Sequence, residues 1–251
     1  MFDNKVKQIL REGGTALGGA IPDASEFMAR VTIDTGIDFL WIDLEHRPFS
    51  YNEIRWIPIM ARRAGCEPLI RPVNNDIGLI KKALDTGASC LMIPQVNTAE
   101  EARQAVSYAK YPPEGVRGVT PTWMLLTGDN VAEYLPRAND ETFVTVQIET
   151  AEGIENMDEI AQVEGVDVLF AGPADLAAAM GNIGQLDNPK LLEFLEEFPA
   201  RVESHGKAAG TTVVGLDAAK KVISQGYRFV AVGNLLTFGR EAMSAALGQL
   251  R

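Results

Sequence analysis

Six times along the chain a glycine is followed at once by a run of apolar residues: GIDFLWID, GCEPLIRP, GASCLMIP, GVDVLFAG, GKAAGTTV and GYRFVAVG. The runs are short and nearly continuous in hydrophobicity, the pattern of parallel strands covered on both faces. A glycine just ahead of each suits a helix that has ended in a left-handed residue, a conformation glycine adopts without steric cost. Between the runs, apolar residues recur every three or four positions: Ile54, Ile57, Ala61 and Ala64, then Ile80 and Leu84, then Ile154, Met157 and Ile160. That is the spacing of one helix face. With TALGGA near the start and FVTVQIE in the middle, the chain offers roughly eight strand–helix units. The pattern predicts an α/β fold, a single (β/α)8 TIM-type barrel spanning 1–251. An open doubly wound sheet is the rival, but GGTALGGA is no GxGxxG fingerprint in the right place.

Composition narrows the partners more than the fold. At 251 residues, 46% hydrophobic and 23% charged, the chain suits one folded barrel. A net charge of -11 without a dense Lys/Arg run argues against nucleic acid. Cys66 and Cys90 form no CxxC pair and read as buried thiols, not as a disulfide or zinc site. MFDNKVKQILREGG lacks a signal-peptide core, and no segment is apolar for long enough to span a bilayer. The expectation is a cytoplasmic protein with no membrane partner. Two Pro- and Gly-rich stretches, KYPPEGVRGVTPTW and GNIGQLDNP, read as long βα loops, where barrels place recognition.

In a barrel the chemistry gathers at the C-terminal strand ends. Here those ends carry Asp43, Glu45 and His46, then Arg71, then Gln95, then Gln147 and Glu149, then Asp175 just past FAGPA. Glu149 and Asp175 make an oxygen-rich pair suited to Mg²⁺ or Mn²⁺. Asp175 could equally cap the helix that begins in PADLAAAM. His46, flanked by acids and Arg47, suits a general base, whereas His205 reads as a solvated residue near a helix C-terminus. Arg71, followed by Pro72, suits a carboxylate or enolate oxygen, and an ion pair with Asp43 or Glu149 is compatible with that role. Gly172 and Pro173 stand at a helix start, where free N–H groups favour an anion. No lysine sits at a strand end: Lys81, Lys82, Lys220 and Lys221 fall on helices and Lys207 opens a strand, so Schiff-base chemistry is not expected.

FLWIDLEHRPFS, PLIRPVNND, LMIPQVNTAEEARQAV, KYPPEGVRG, VQIETAEGIENMDEI and VDVLFAGPADLAAAMG, in this order, resemble the HpcH/HpaI family of metal-dependent (class II) pyruvate aldolases, within the phosphoenolpyruvate/pyruvate barrel superfamily. The resemblance implies that Glu149 and Asp175 ligate a divalent metal, Mg²⁺ or Mn²⁺ or in their place Co²⁺, with no organic cofactor. It implies His46 as acid/base with Asp43 supporting it, and Arg71 as the group that stabilises the enolate. Gly172, Pro173 and Ala174 would receive the pyruvate carboxylate, and Gln147 would line the site. The implied reaction is reversible cleavage of a 4-hydroxy-2-oxo acid to pyruvate and an aldehyde. The implied assembly is a homo-oligomer, hexamer or trimer, with the C-terminal helix around EAMSAALGQL exchanged between subunits. Asp85 matches an acid that the family uses to orient the histidine, but it falls before the fourth strand, so only a neighbouring subunit could bring it to the site. Three positions depart from the family pattern: no basic residue follows YPPEGVRG until Arg137, Leu235 stands where aspartate is common, and Ala177 stands where serine is common. Two other functions compete: a CoA-ester lyase of the malyl or citryl type, which needs a basic groove for CoA phosphates, and a barrel that binds a keto acid without turnover.

Overall fold

The structure, a computed structural model, describes residues 4–251. Eight parallel strands close into a barrel in chain order: β1 (Ala16–Ala20), β2 (Phe39–Asp43), β3 (Glu67–Arg71), β4 (Cys90–Ile93), β5 (Phe143–Ile148), β6 (Val168–Ala171), β7 (Ala208–Thr212) and β8 (Phe229–Ala231), with β8 returning to pair with β1. The predicted barrel is therefore the observed one. Helical segments follow the strands and cover the outside, and no described helix is long and apolar enough to cross a membrane.

Strand parity sorts the side chains into two apolar layers. Leu40, Ile42, Ile70, Leu91, Val144, Val146, Leu169 and Val230 face the helices, while Phe39, Trp41, Leu69, Met92, Phe143, Phe170 and Phe229 fill the interior. The interior is mostly aromatic. Phe39 stacks on Phe229 at 4.1 Å between centroids, and Trp41 meets Phe170 edge-on at 5.9 Å. Rings of this size fit because small residues face them: a Cβ on Gly18 would fall inside the Phe39 ring, and one on Gly210 would lie 2.8 Å from Phe170. The same parity, carried one step further up the strands, brings Asp43, Arg71 and Gln147 to the interior edge of the mouth.

The helix Lys5–Arg11 closes the floor, with Val6 buried in the interior layer and Asn4 capping its start. Three local readings change. Ile54 is buried but lies in the turn ahead of the helix Ile57–Arg63. The stretch carrying Ile154, Met157 and Ile160 is two short helices, Ala151–Glu155 and Met157–Ala161, broken at Asn156. KYPPEGVRGVTPTW is not a βα loop. It leads from the helix Ala99–Ala109 into β5, so within this chain it runs at the floor end, where Arg117 pairs with Asp85 at 3.4 Å. At the other end of the chain, the helix Leu235–Leu250 has no buried residue and exposes Leu236, Met243, Leu247 and Leu250.

Candidate active site

Asp43 and Arg71 are the last residues of neighbouring strands and are paired in register. Arg71 Nε and Nη2 donate to the two Asp43 oxygens at 3.0 and 2.7 Å, a two-point fork that fixes the guanidinium plane. Its Nη1 donates to Gln147 Oε1 at 3.3 Å and lies 3.0 Å from Glu45 Oε2, while the Trp41 ring lies 4.9 Å away. Three of the five guanidinium N–H groups are thus hydrogen-bonded and Nη1 is also ion-paired with Glu45, which leaves the second Nη2 N–H for a ligand. Burial alone would raise the Asp43 carboxyl, but the Arg71 contacts outweigh it and hold it below the usual carboxylate range. Asp43 Oδ1 also accepts the backbone N–H of Glu45 at 3.0 Å and of His46 at 3.2 Å. Asp43 therefore supports His46 through the main chain and contacts Arg71, not the imidazole.

On the opposite side of the mouth, Glu149 is buried at the end of β5. Burial pushes its carboxyl up to about 7; the Gln95 N–H opposes the shift, and Asp175 and Glu45 reinforce it. Gln95 donates that N–H to Glu149 Oε1 at 2.9 Å from a left-handed backbone with φ 51°. Gln147 Nε2 donates to the other oxygen at 2.8 Å, so one amide links Glu149 to Arg71. Gly172 completes the wall: a Cβ there would lie 2.8 Å from Glu149 Oε2. Pro173 and Ala174 open the helix Pro173–Ala179, and Asp175 lies exposed in its first turn. Glu45, also raised chiefly by burial, has Oε2 buried without a hydrogen bond.

His46 is mostly exposed at the rim, its Nε2 3.6 Å from Glu45 Oε2. His205 pairs with Asp158 at 3.2 Å outside the mouth. Asp85 ends the helix Ile77–Asp85 at the floor end of the barrel. The contributions of Glu45 to Arg71 and of the Gln95 N–H to Glu149 are the parts of the site that no sequence motif signals.

Four carboxylates, Asp43, Glu45, Glu149 and Asp175, surround one arginine at the mouth, and burial together with Asp175 and Glu45 raises Glu149, so the site carries an excess of acid groups. Glu149 and Asp175 offer only oxygen donors, which fits a hard divalent cation that keeps several waters. Among the described residues no group of three or more His, Cys, Asp or Glu is placed to hold a metal, so a dehydrated cage does not fit.

The HpcH/HpaI aldolase/citrate lyase family matches residues 21–238. The 2-keto-3-deoxy-L-rhamnonate aldolase of Salmonella paratyphi B is 36% identical over 253 residues, covering 100% of this chain and 94% of that protein. The crystal structure of an HpcH/HpaI aldolase/citrate lyase family protein from Burkholderia cenocepacia J2315 superposes with a TM-score of 0.90 at 31% identity, covering 99% of each chain. Protein CitE of Mycobacterium tuberculosis, solved with magnesium and acetoacetate, shares the fold alone, with a TM-score of 0.56 at 16% identity over 87% of this chain and 85% of that one.

Proposed function

Because the chain belongs to the HpcH/HpaI aldolase/citrate lyase family, a group of the phosphoenolpyruvate/pyruvate barrel superfamily, we propose that it cleaves a 4-hydroxy-2-oxo acid reversibly into pyruvate and an aldehyde. Membership makes it a carbon–carbon lyase of the aldolase/citrate-lyase type, with metal-assisted chemistry on small 2-oxo acids. The observation that carries the finer reading is the fixed Arg71 fork, with an Nη2 N–H left over, linked through Gln147 to Glu149, whose carboxyl Asp175 helps to raise.

Glu149 and Asp175 would hold the divalent cation. When bound, it supplies Lewis-acid stabilisation for charge on the 2-oxo and carboxylate oxygens. Arg71 receives the oxygen on which negative charge grows as the C3–C4 bond breaks and its electron pair moves into the enolate. Asp43 keeps the guanidinium oriented. His46 takes the proton of the 4-hydroxyl as the aldehyde forms, a role worth about 10²–10⁴-fold. His46 gives up that proton to solvent, and a proton from water delivered to C3 of the enolate yields the pyruvate methyl group, so the cleavage consumes no net proton. Gly172, Pro173 and Ala174 admit the substrate carboxylate, with Gly172 leaving room beside Glu149. The exposed apolar side of the helix Leu235–Leu250 supports assembly into a homo-oligomer through that helix.

The half-reaction isolates the enolate step. In deuterated water with Mg²⁺ or Mn²⁺, the protein is expected to exchange the methyl protons of pyruvate without any aldehyde, followed by proton NMR. Arg71→Ala should lower the exchange kcat with little change in KM. A rise in KM alone would contradict the assigned role.

A further inference from the structure

A second concavity lies at the barrel floor, away from the mouth. The helix Lys5–Arg11 crosses the floor with Lys7 and Arg11 four residues apart, on one face. With the segment ahead of β6 and the starts of β7 and β8, it walls an open groove of about 590 Å³, within the range of small-molecule sites. Phe143, whose ring packs against Phe229 at 5.6 Å, lines the groove and belongs to the aromatic interior that separates it from the mouth.

The charge of this groove opposes that of the whole chain. Lys7, Arg11, Lys207 and Arg228 line it against Asp167 and Glu203, four positive groups to two negative, in a protein of net charge -11. Two of the cations are occupied. Lys7 Nζ lies 3.3 Å from Asp167 Oδ1, and Lys207 Nζ donates to the carbonyls of Val163 at 3.0 Å and Val166 at 2.9 Å. Asp167 is engaged as well, its other oxygen accepting the Val144 N–H at 2.8 Å. Arg11 and Arg228 are exposed and have no side-chain hydrogen bond or ion pair among the described residues. They come from different elements, the end of the floor helix and the residue before β8, and both line one concavity.

We infer that this groove binds a small anion carrying two or more phosphate-type charges, with Arg11 and Arg228 as its principal contacts. A guanidinium matches a phosphate with two parallel N–H donors, and two of them on separate walls suit a ligand with more than one anionic group. A lone monocarboxylate would leave one fork idle. The groove cannot serve as a CoA groove for chemistry at the mouth, because the filled barrel interior stands between them.

The test is calorimetric titration of inorganic pyrophosphate into the purified protein, with Mg²⁺ in both solutions and with saturating pyruvate present to occupy the mouth. The expected result is saturable one-site binding that weakens with added salt. Arg11→Gln and Arg228→Gln should each reduce affinity about tenfold, and Arg71→Ala should leave it unchanged. Both floor arginines are exposed and make no side-chain hydrogen bond or ion pair among the described residues, so each variant should retain the wild-type circular dichroism. No saturable heat, binding unchanged in the Arg11→Gln Arg228→Gln double variant, or binding lost in Arg71→Ala would each overturn the assignment.

Discussion

Asp43 uses both carboxylate oxygens on Arg71 and Oδ1 also on two backbone N–H groups, so replacing it removes the bidentate partner of a buried cation and leaves Glu45 as its one ion pair. Asp43→Asn is expected to lower unfolding stability by about 3 kcal/mol, the scale for breaking a buried pair from one side, and to lower kcat; urea denaturation and pyruvate-exchange kinetics check the two effects. Gly172→Ala places a methyl group against Glu149 Oε2 and should weaken Mn²⁺ binding at least about tenfold with little change in Tm, as read by paramagnetic resonance and calorimetry. The pH dependence has a definite sign. Glu149 holds its proton up to about pH 7, and proton and cation compete for the same carboxylate. Mn²⁺ affinity should therefore be constant above that pH and fall as pH drops below it. The position of Asp43, Glu45, Arg71, Gln147 and Glu149 at the mouth was legible because each ends or closely follows an apolar run. Their partners were not: Glu45 reaches Arg71 from past its strand, and Gln95 acts through a backbone N–H that its side chain does not announce.

The strands themselves were readable because an apolar run preceded by a helix-stopping glycine leaves little else to form. Connections were less so. KYPPEGVRGVTPTW was read by its prolines and glycines, yet what decides its place is that it follows a helix and so returns to the floor end of the barrel; beyond it the chain holds short helices at Met124–Thr127, Val131–Tyr134 and Ala138–Glu141 before β5. Helical spacing also ran across Asn156, where the main chain breaks one helix into two. Inside the barrel, small residues were legible as strand positions but not as partners of particular rings. Gly18→Ala drives a methyl group into the Phe39 ring and should cost about 1–3 kcal/mol of stability by overpacking, measured by chemical denaturation; an unchanged midpoint would show that the aromatic layer yields.

At the scale of the whole molecule, the helix Leu235–Leu250 leaves Leu236, Met243, Leu247 and Leu250 uncovered by its own chain. If the proposed homo-oligomer forms through this helix, replacing Leu236, Met243 and Leu247 together by Asp should give monomers in light scattering after size exclusion, while circular dichroism retains the barrel signal. An unchanged mass would remove this helix from the interface. The barrel and the family were readable from one chain, whereas subunit contacts depend on surfaces that a single chain's hydrophobic pattern does not pair. The central claim is retro-aldol release of pyruvate, and it is tested most directly by coupling the protein to lactate dehydrogenase over a panel of 4-hydroxy-2-oxo acids, first with EDTA and then with Mg²⁺, Mn²⁺ or Co²⁺ restored. The account predicts pyruvate from at least one substrate, abolished by EDTA and restored by metal. Pyruvate released equally with EDTA, or none with any metal while a CoA thioester is cleaved, would contradict it.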